Sequence, residues 1–388
     1  MVVSEVCGGT MTWGSFNDNE ELAHDQLDAM VRLGVNFIDT AELYPVAWNY
    51  GQLTEKWIGN WLTKRTAEGK VDRSKLYLAT KANPSAIGTP PIEGREKMGP
   101  HGYDEDMLMH ACKSSIERMQ CKYVDLYQLH WPCRDTPIFG CAHFYPEGDQ
   151  RPMPFFDKGG VETFERQVLS VKKLFDAGLI KHWGLSNENA YGISMFCMAC
   201  DKLGVPRPVS VQNDFSMVNR TYEGDTWEAA YRFGVVGLPY GALAGGVLSG
   251  KYLPGSKYAN VHKERPLAEC RHRKKPDFQP RYGAPTSMLA TEKYVSLAEE
   301  WGLTPTELAL AWARDRPCNT SIIMGSTSVS QVEECVNAFK LEKLPKELMD
   351  AVDVIFEEFR NPSMHYCKKE VFSEAAWLTK KRKASDSA

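Results

Sequence analysis

The chain reads as an α/β protein, a (β/α)₈ TIM barrel with long loops after its fourth and seventh strands and a helix near its C-terminal end. Three observations carry that reading. Short apolar runs of strand length alternate with amphipathic stretches of helix length eight times along the sequence. Several of the apolar runs turn polar at their last residue, and a barrel gathers the C-terminal ends of its strands at one reactive face. A doubly wound dinucleotide sheet would carry a Gly-x-Gly-x-x-Gly turn after an early strand, and none follows one here.

In chain order, Val2 to Cys7 reads as the first strand and runs into Gly8-Gly9-Thr10. Asn19 to Leu33 follows as a helix with Leu22, Leu27, Met30, Val31 and Leu33 near one face, closed by Gly34. Val35, Phe37 and Ile38 form the second strand, which turns polar at Asp39. Gln52 to Lys64 is a helix with Trp57, Ile58, Trp61 and Leu62 facing inward, and the third strand, Leu76 to Lys81, ends on a lysine. A Gly/Pro-rich loop from Asn83 to Gly102 leads into a helix over Asp104 to Met119, then a fourth strand from Tyr123 that ends at His130. The alternation continues with helix Val161 to Ala177, strand Ile180 to Ser186, helix Ala190 to Leu203, strand Val209 to Asn213, helix Thr226 to Phe233 and strand Val235 to Tyr240. Helices Thr291 to Glu300 and Thr304 to Arg314, strand Ser321 to Met324, helix Ser330 to Ala338 and a last helix over Pro345 to Phe359 complete the pattern. Residues 1–365 are accordingly expected to form one barrel domain, and 366–388 a C-terminal tail whose polar end from Lys380 is disordered.

Two irregular stretches interrupt the repeat. Cys133 to Gly160 follows the fourth strand, and Leu253 to Pro285 follows the seventh. Loops this long in a compact fold are usually functional or disordered. Trp131, Phe139, Phe144, Tyr145 and Phe155 are candidate apolar walls of a pocket, the plainer alternative being that they pack the loop onto the barrel. The second loop carries Lys263-Glu-Arg265 and Arg271-His-Arg-Lys-Lys275; such runs are most often solvated, but this one falls where a barrel binds anions.

With 43% hydrophobic and 25% charged residues the composition is that of a soluble globular protein. A net charge of −4 offers no electrostatic case for nucleic acid or a membrane surface. The first residues lack a basic and then apolar leader, and no long apolar run follows, so a cytoplasmic location is expected. Lys380-Lys-Arg-Lys383 resembles a weak nuclear-import signal. Eleven cysteines, an odd number without framework spacing, read as reduced thiols. Cys197 and Cys200 have a redox or zinc spacing, but no second pair completes a metal site, and two buried helix thiols are the expectation.

The chemistry gathers at three strand ends. Asp39 and Tyr44 lie five residues apart in Asp39-Thr-Ala-Glu-Leu-Tyr44, Lys81 ends the third strand and His130 the fourth. An isolated Asp in that place more often caps a turn. Together, a lysine beside the tyrosine is expected to lower the phenol's pKa, an aspartate to hold the lysine charged, and a histidine to orient a carbonyl oxygen.

These residues resemble the aldo-keto reductases, whose catalytic tetrad is Asp, Tyr, Lys and His in this order. The likeness runs from Gly8-Gly-Thr-Met-Thr-Trp-Gly14 to Met324-Gly-Ser-Thr327 and is nearest to the branch related to potassium-channel beta subunits and bacterial reductases. It implies catalytic roles for Asp39, Tyr44, Lys81 and His130, with Tyr44, His130 and Trp131 touching substrate. It also implies a nicotinamide cofactor, NADPH/NADP+, since no side chain carries a hydride. On that resemblance Ser186, Asn187 and Gln212 hold the nicotinamide amide, Tyr240 stacks on the ring, and Thr10, Met11 and Asp39 lie alongside. The small-residue loop Gly241, Ala242, Leu243, Ala244, Gly245, continuing to Lys251, suits a pyrophosphate. Gly325, Ser326 and Thr327 precede a helix start suited to the adenosine 2'-phosphate, with Gln331 and Glu334 reaching the adenosine end and Arg281 as a nearby cation. Relatives have Ser-Pro-Leu at 241–243 and Glu-Asn at 334–335; here Gly241-Ala242-Leu243 loses a hydroxyl and Cys335 loses an amide.

The expected reaction is NADPH-dependent reduction of a small-molecule aldehyde or ketone. A cofactor-sensing subunit, acting as a homo-oligomer or on a protein partner, is the alternative that the channel-subunit likeness raises. A barrel aldolase or hydrolase using Lys81 as a Schiff base is a third.

Overall fold

The computed structural model describes residues 2–46, 52–84, 102–134, 136–137, 144 and 160–366. Its frame is a sheet of eight parallel strands in the order β7-β6-β5-β4-β3-β2-β1-β8. The strands are β1 (Val6–Gly9), β2 (Phe37–Asp39), β3 (Tyr77–Ala82), β4 (Val124–Leu129), β5 (Ile180–Ser186), β6 (Ser210–Gln212), β7 (Val236–Gly237) and β8 (Ile322–Gly325). The ends of the sheet meet, because Tyr240 bridges to Ile323 in parallel and Ile323 N–H donates to the Pro239 carbonyl at 2.8 Å. The sheet is therefore closed into a barrel.

Around it run α1 (Glu20–Arg32), α2 (Leu53–Ala67), α3 (Glu105–Arg118), α4 (Val161–Asp176), α5 (Ala190–Leu203) and α6 (Asp225–Phe233). They continue as α7 (Arg271–Lys274), α8 (Pro285–Glu300), α9 (Pro305–Asp315), α10 (Val329–Ala338) and α11 (Lys346–Phe359). Side chains close several of the helix starts: Asn19, Asp104, Asn189 and Ser328 each accept from a backbone N–H of the first turn. Thr304 and Glu307 form a reciprocal capping box on α9.

Apolar burial divides into two cores, as the period of a strand requires. One lies between the barrel wall and the helices and holds Leu78, Tyr127, Leu129 and Trp183 with the inner faces of the helices. The other fills the barrel itself with Cys7, Phe37, Ala79, Leu126 and Leu238. Two residues further along their strands, on the same inward side, come Gly9, Asp39, Lys81 and Gln128. The register pairs Gly9 with Asp39, Asp39 with Ala79, and Lys81 with Gln128. A slip of one residue in β2 or β3 would turn Asp39 or Lys81 out towards the helices.

Several expected boundaries differ. β1 starts at Val6 rather than Val2, whose side chain is exposed. β7 is only two residues long, and Tyr240 takes part through two isolated bridges, to Asp214 and Ile323, instead of an extended strand. α8 begins at Pro285, six residues before Thr291, because proline is tolerated in a helix's first turn, where its missing N–H has no intrahelical partner. In α1 the buried side includes Ala23, Gln26, Leu27, Ala29 and Met30, so Leu22, Val31 and Leu33 sit at its margin. The last helix starts at Lys346 with Pro345 just outside it.

Candidate functional site

At the C-terminal ends of the strands lies a cavity of about 620 Å³, a size suited to a substantial ligand. Asp39, Tyr44 and His130 line one end of it, and Gln331, Glu334 and Cys335 the other. Lys81 lies beneath the Tyr44 end, fully buried. Its Nζ donates to Asp39 Oδ2 at 2.6 Å and to the Thr40 carbonyl at 2.7 Å, and its third neighbour is the Tyr44 hydroxyl at 3.5 Å. All three donor directions of the ammonium are thus used. The Tyr44 and His130 rings meet edge to face with centroids 5.8 Å apart, and His130 lies 4.3 Å from the Trp131 ring.

Electrostatics here departs from one expectation. Burial raises the Tyr44 phenol above its ordinary pKa, and the Lys81 ammonium cancels only part of that rise, helped in the upward direction by Asp39. The phenol therefore keeps its proton through neutral pH rather than approaching phenolate. Burial pulls on Lys81 in the opposite sense, yet the Asp39 carboxylate and the Tyr44 oxygen hold its pKa above the ordinary value. His130 is driven well below its usual range by burial and by Lys81, so the imidazole is neutral.

Amide side chains surround this group. Gln128 and Gln212 both donate to Asp39 Oδ1, at 3.0 and 3.1 Å, and Gln212 also donates to Gln128 Oε1 at 3.1 Å. Asn187, with a left-handed φ of 57°, donates to the His130 carbonyl at 2.8 Å and accepts from the Tyr240 hydroxyl at 2.7 Å. Ser186 Oγ lies 3.2 Å from the Asn187 amide. Gln128 escaped the sequence reading although it precedes His130 by two residues and so shares its face.

Most of the residues expected on a cofactor are brought together. Thr10, Met11, Ser186, Asn187, Gln212, Tyr240, Gly241, Ala242, Leu243, Gly245, Lys251, Arg281, Gly325 and Thr327 all line the cavity, as does Trp131 on the Tyr44 side. Gly241 and Gly245 have φ of 80° and 65°, and a Cβ on Gly245 would come 2.9 Å from His272 Nε2; glycine is what lets this loop bend so tightly. Ala244 is fully buried under the loop and does not reach the cavity. Ser326 is likewise buried, its carbonyl accepting from Thr12 Oγ1 at 3.0 Å. The Thr327 N–H and hydroxyl are taken by Gln331 Oε1 at 3.0 and 3.1 Å.

The loop after β7 supplies residues that the motif reading did not assign. His262 bonds Ser330 through Nδ1 and Glu334 through Nε2, each at 2.8 Å, fastening the loop to α10. Arg271 lies among the rings of Phe16 and Phe278, 5.6 and 5.9 Å from their centroids, with Nη1 on Gln279 at 2.9 Å, and lines the cavity. Burial lowers the pKa of Arg271 and of Lys251; Arg271 presses Lys251 down further, and Arg281 does the same to Arg271. Arg281 is paired with Asp214 at 3.1 Å and donates to the Tyr282 hydroxyl at 2.9 Å, so its charge is largely answered inside the protein. The basic run, read as most often solvated, turns two members inward: Arg271 to the cavity and His272 into the interior.

The remaining expectations divide. Cys197 and Cys200 are buried free thiols pushed up to about 12 by burial, the bland outcome. No cluster able to hold a metal occurs among the described residues. Phe144 is exposed and is not among the described residues that line this cavity. Phe139, Tyr145, Phe155 and the tail with Lys380-Lys-Arg-Lys383 lie outside the described residues.

Residues 5–357 match the model of the Aldo/keto reductase family. The chain belongs to the aldo/keto reductase family. It is similar to Protein tas of Escherichia coli, 33% identical over 93% of this chain and 96% of that protein. It is also similar to the Uncharacterized oxidoreductase YrpG of Bacillus subtilis, 29% identical over 91% and 92% of the two chains. A Putative voltage-gated potassium channel subunit beta of Schizosaccharomyces pombe is 24% identical over 90% and 88%. This aldo/keto reductase is thus an oxidoreductase of the branch that its strand-end residues resemble.

Proposed function

We propose that the chain reduces an aldehyde or ketone to the alcohol with NADPH, Tyr44 acting as general acid. The observation that carries this reading is Lys81 Nζ held between the Asp39 carboxylate at 2.6 Å and the Tyr44 hydroxyl at 3.5 Å, under the end of the cavity that His130 shares. A reduced nicotinamide bound beside Tyr240 and Asn187 supplies the hydride. The chain's own residues do the rest. Tyr44, still protonated at neutral pH, gives its proton to the carbonyl oxygen as that oxygen gains charge. Lys81, kept ammonium by Asp39, stabilises the phenolate that remains until solvent returns the proton. Neutral His130 donates a hydrogen bond that orients the oxygen without competing for the acid's role.

The cavity suits the dinucleotide on two grounds. The Gly241 to Gly245 turn leaves its backbone accessible, and Lys251 and Arg271 bring positive charge to the cavity wall near it. Those two cations favour NADPH over NADH more than Arg281 does, since Asp214 already pairs Arg281. Ser186, Asn187 and Gln212 have amide and hydroxyl groups ready to exchange their internal partners for the carboxamide.

Tyr44→Phe is the test. Its turnover of 4-nitrobenzaldehyde with NADPH is expected to fall by roughly 10²- to 10⁴-fold, while NADPH fluorescence quenching is unchanged. Wild-type turnover by the Phe variant overturns the assignment. The relative named as a channel subunit beta supports a second reading, in which a bound partner reads the cofactor's redox state; slow turnover together with NADPH retained through purification would favour it.

A further inference from the structure

We propose that Tyr103, which lies outside the catalytic group, is a positioning residue that aligns Lys81 and His130 for carbonyl reduction; the proposal rests on the reductase reading above. Tyr103 stands just before α3, 1% exposed, with its hydroxyl turned in towards the barrel rim. That hydroxyl lies 3.1 Å from the Ala82 carbonyl and 2.9 Å from the Trp131 carbonyl as donor, and accepts from Trp131 N–H at 3.2 Å. Ala82 directly follows Lys81, and Trp131 directly follows His130. One phenol therefore joins the peptide after the ammonium to the peptide after the imidazole.

Beyond its ring contacts with Tyr44 and Trp131, the His130 ring has few polar contacts to aim it. Among the described residues nothing hydrogen-bonds its Nδ1. Its direction is set through the main chain: His130 N–H donates to the Ala82 carbonyl at 2.9 Å, and its own carbonyl accepts from Asn187 at 2.8 Å. Tyr103 holds the next peptide on the same strand end and shares the Ala82 carbonyl with His130. Without the hydroxyl, the Trp131 peptide loses its link to Ala82 and only the His130 N–H bond and the strand pairing still join the two ends, so the imidazole can shift relative to the Lys81–Tyr44 pair. Reacting groups displaced by about 1 Å lose up to roughly 10²-fold in rate. On the other side of Lys81, Glu42 plays a matching part by accepting from the Asn83 N–H, so the rim is stapled side chain by side chain.

A double-mutant cycle tests this with purified full-length protein. Tyr103→Phe is expected to lower kcat for 4-nitrobenzaldehyde by roughly 10-fold or more while the Kd for NADPH stays within about twofold. In a His130→Ala background the same change is expected to cost less than about twofold, because the ring it positions is gone. Equal losses in the two backgrounds overturn the proposal, as does a Tyr103→Phe protein that loses NADPH binding along with turnover, for then the hydroxyl holds the rim as a whole. Tyr103→His, which returns a ring donor to the site, is expected to recover part of the lost kcat, and recovery no better than Phe also counts against it. Failure of the underlying reading shows differently: the wild-type protein itself would not oxidise NADPH with any carbonyl.

Discussion

Lys81 shows how strongly a single buried charge can depend on its surroundings. Its ammonium is inside the barrel, and it is the cation that answers Asp39 at 2.6 Å. Lys81→Met would leave that carboxylate facing only the amides of Gln128 and Gln212 among the described residues. Breaking a buried pair from one side typically costs about 3–5 kcal/mol. Urea denaturation should show a loss of that order, with Asp39→Asn combined with Lys81→Met recovering much of it; no loss in the single variant would mean that the buried pair contributes nothing to stability. Asp39, Lys81 and His130 were legible because each ends an apolar run, and Tyr44 because it follows Asp39 by five residues. Gln128 was not, since a glutamine inside a strand carries no signal until its neighbours are known. The direction of the Tyr44 shift was also out of reach, because it depends on how completely the phenol is buried against how near the ammonium comes.

At the level of elements, α2 lies so close to α3 that Gly59 has no room for a side chain: a Cβ there would fall on the Arg118 carbonyl and lie 2.9 Å from the Met119 carbonyl carbon. Gly59→Ala ordinarily favours a helix by up to about 1 kcal/mol, but overpacking costs about 1–3 kcal/mol. The net sign is therefore expected to be destabilising, and a thermal midpoint at or above wild type would show that the two helices can separate freely. The inward face of α2 was readable from spacing, with Trp57, Ile58, Trp61 and Leu62 all buried. The stripe of α1 was misjudged by its margins, because Gln26 is buried to accept from the Trp13 indole at 3.3 Å, and a periodicity of apolar residues passes over such a partner. α8 was read short because its first turn, Pro285 to Ala290, looks like loop by composition.

For the molecule as a whole, two buried histidines contribute to the response to acid. Burial first, and then neighbouring cations, hold His130 and His272 well below the ordinary value of 6.5. The unfolded chain therefore binds more protons than the folded one below about pH 6.5, and stability is fully present above that pH and falls as acid is added. Each histidine contributes a slope of up to about 1.4 kcal/mol per pH unit. Denaturation midpoints measured from about pH 7.5 down to pH 5 should decline, and His130→Gln should flatten the decline. A midpoint indifferent to pH in both proteins would show that these rings are charged or solvated when folded. No helix among the described residues is long and apolar enough to cross a membrane.

The order of strands and helices, the barrel they make, and the identity of the acid, phenol, ammonium and imidazole were written locally. Each depends on a periodicity, on a polar residue ending an apolar run or, for Tyr44, on its spacing from Asp39, and such patterns survive without knowledge of distant neighbours. What had to wait for the folded chain was everything made by residues far apart in sequence: the amides of Gln128 and Gln212 on Asp39, the tie from Tyr103 to two strand ends, and the pairing of Arg281 with Asp214 while Arg271 turns inward. Those contacts arise when a closed barrel brings eight strand ends to one rim, and burial there, more than residue type, determines which groups keep their protons.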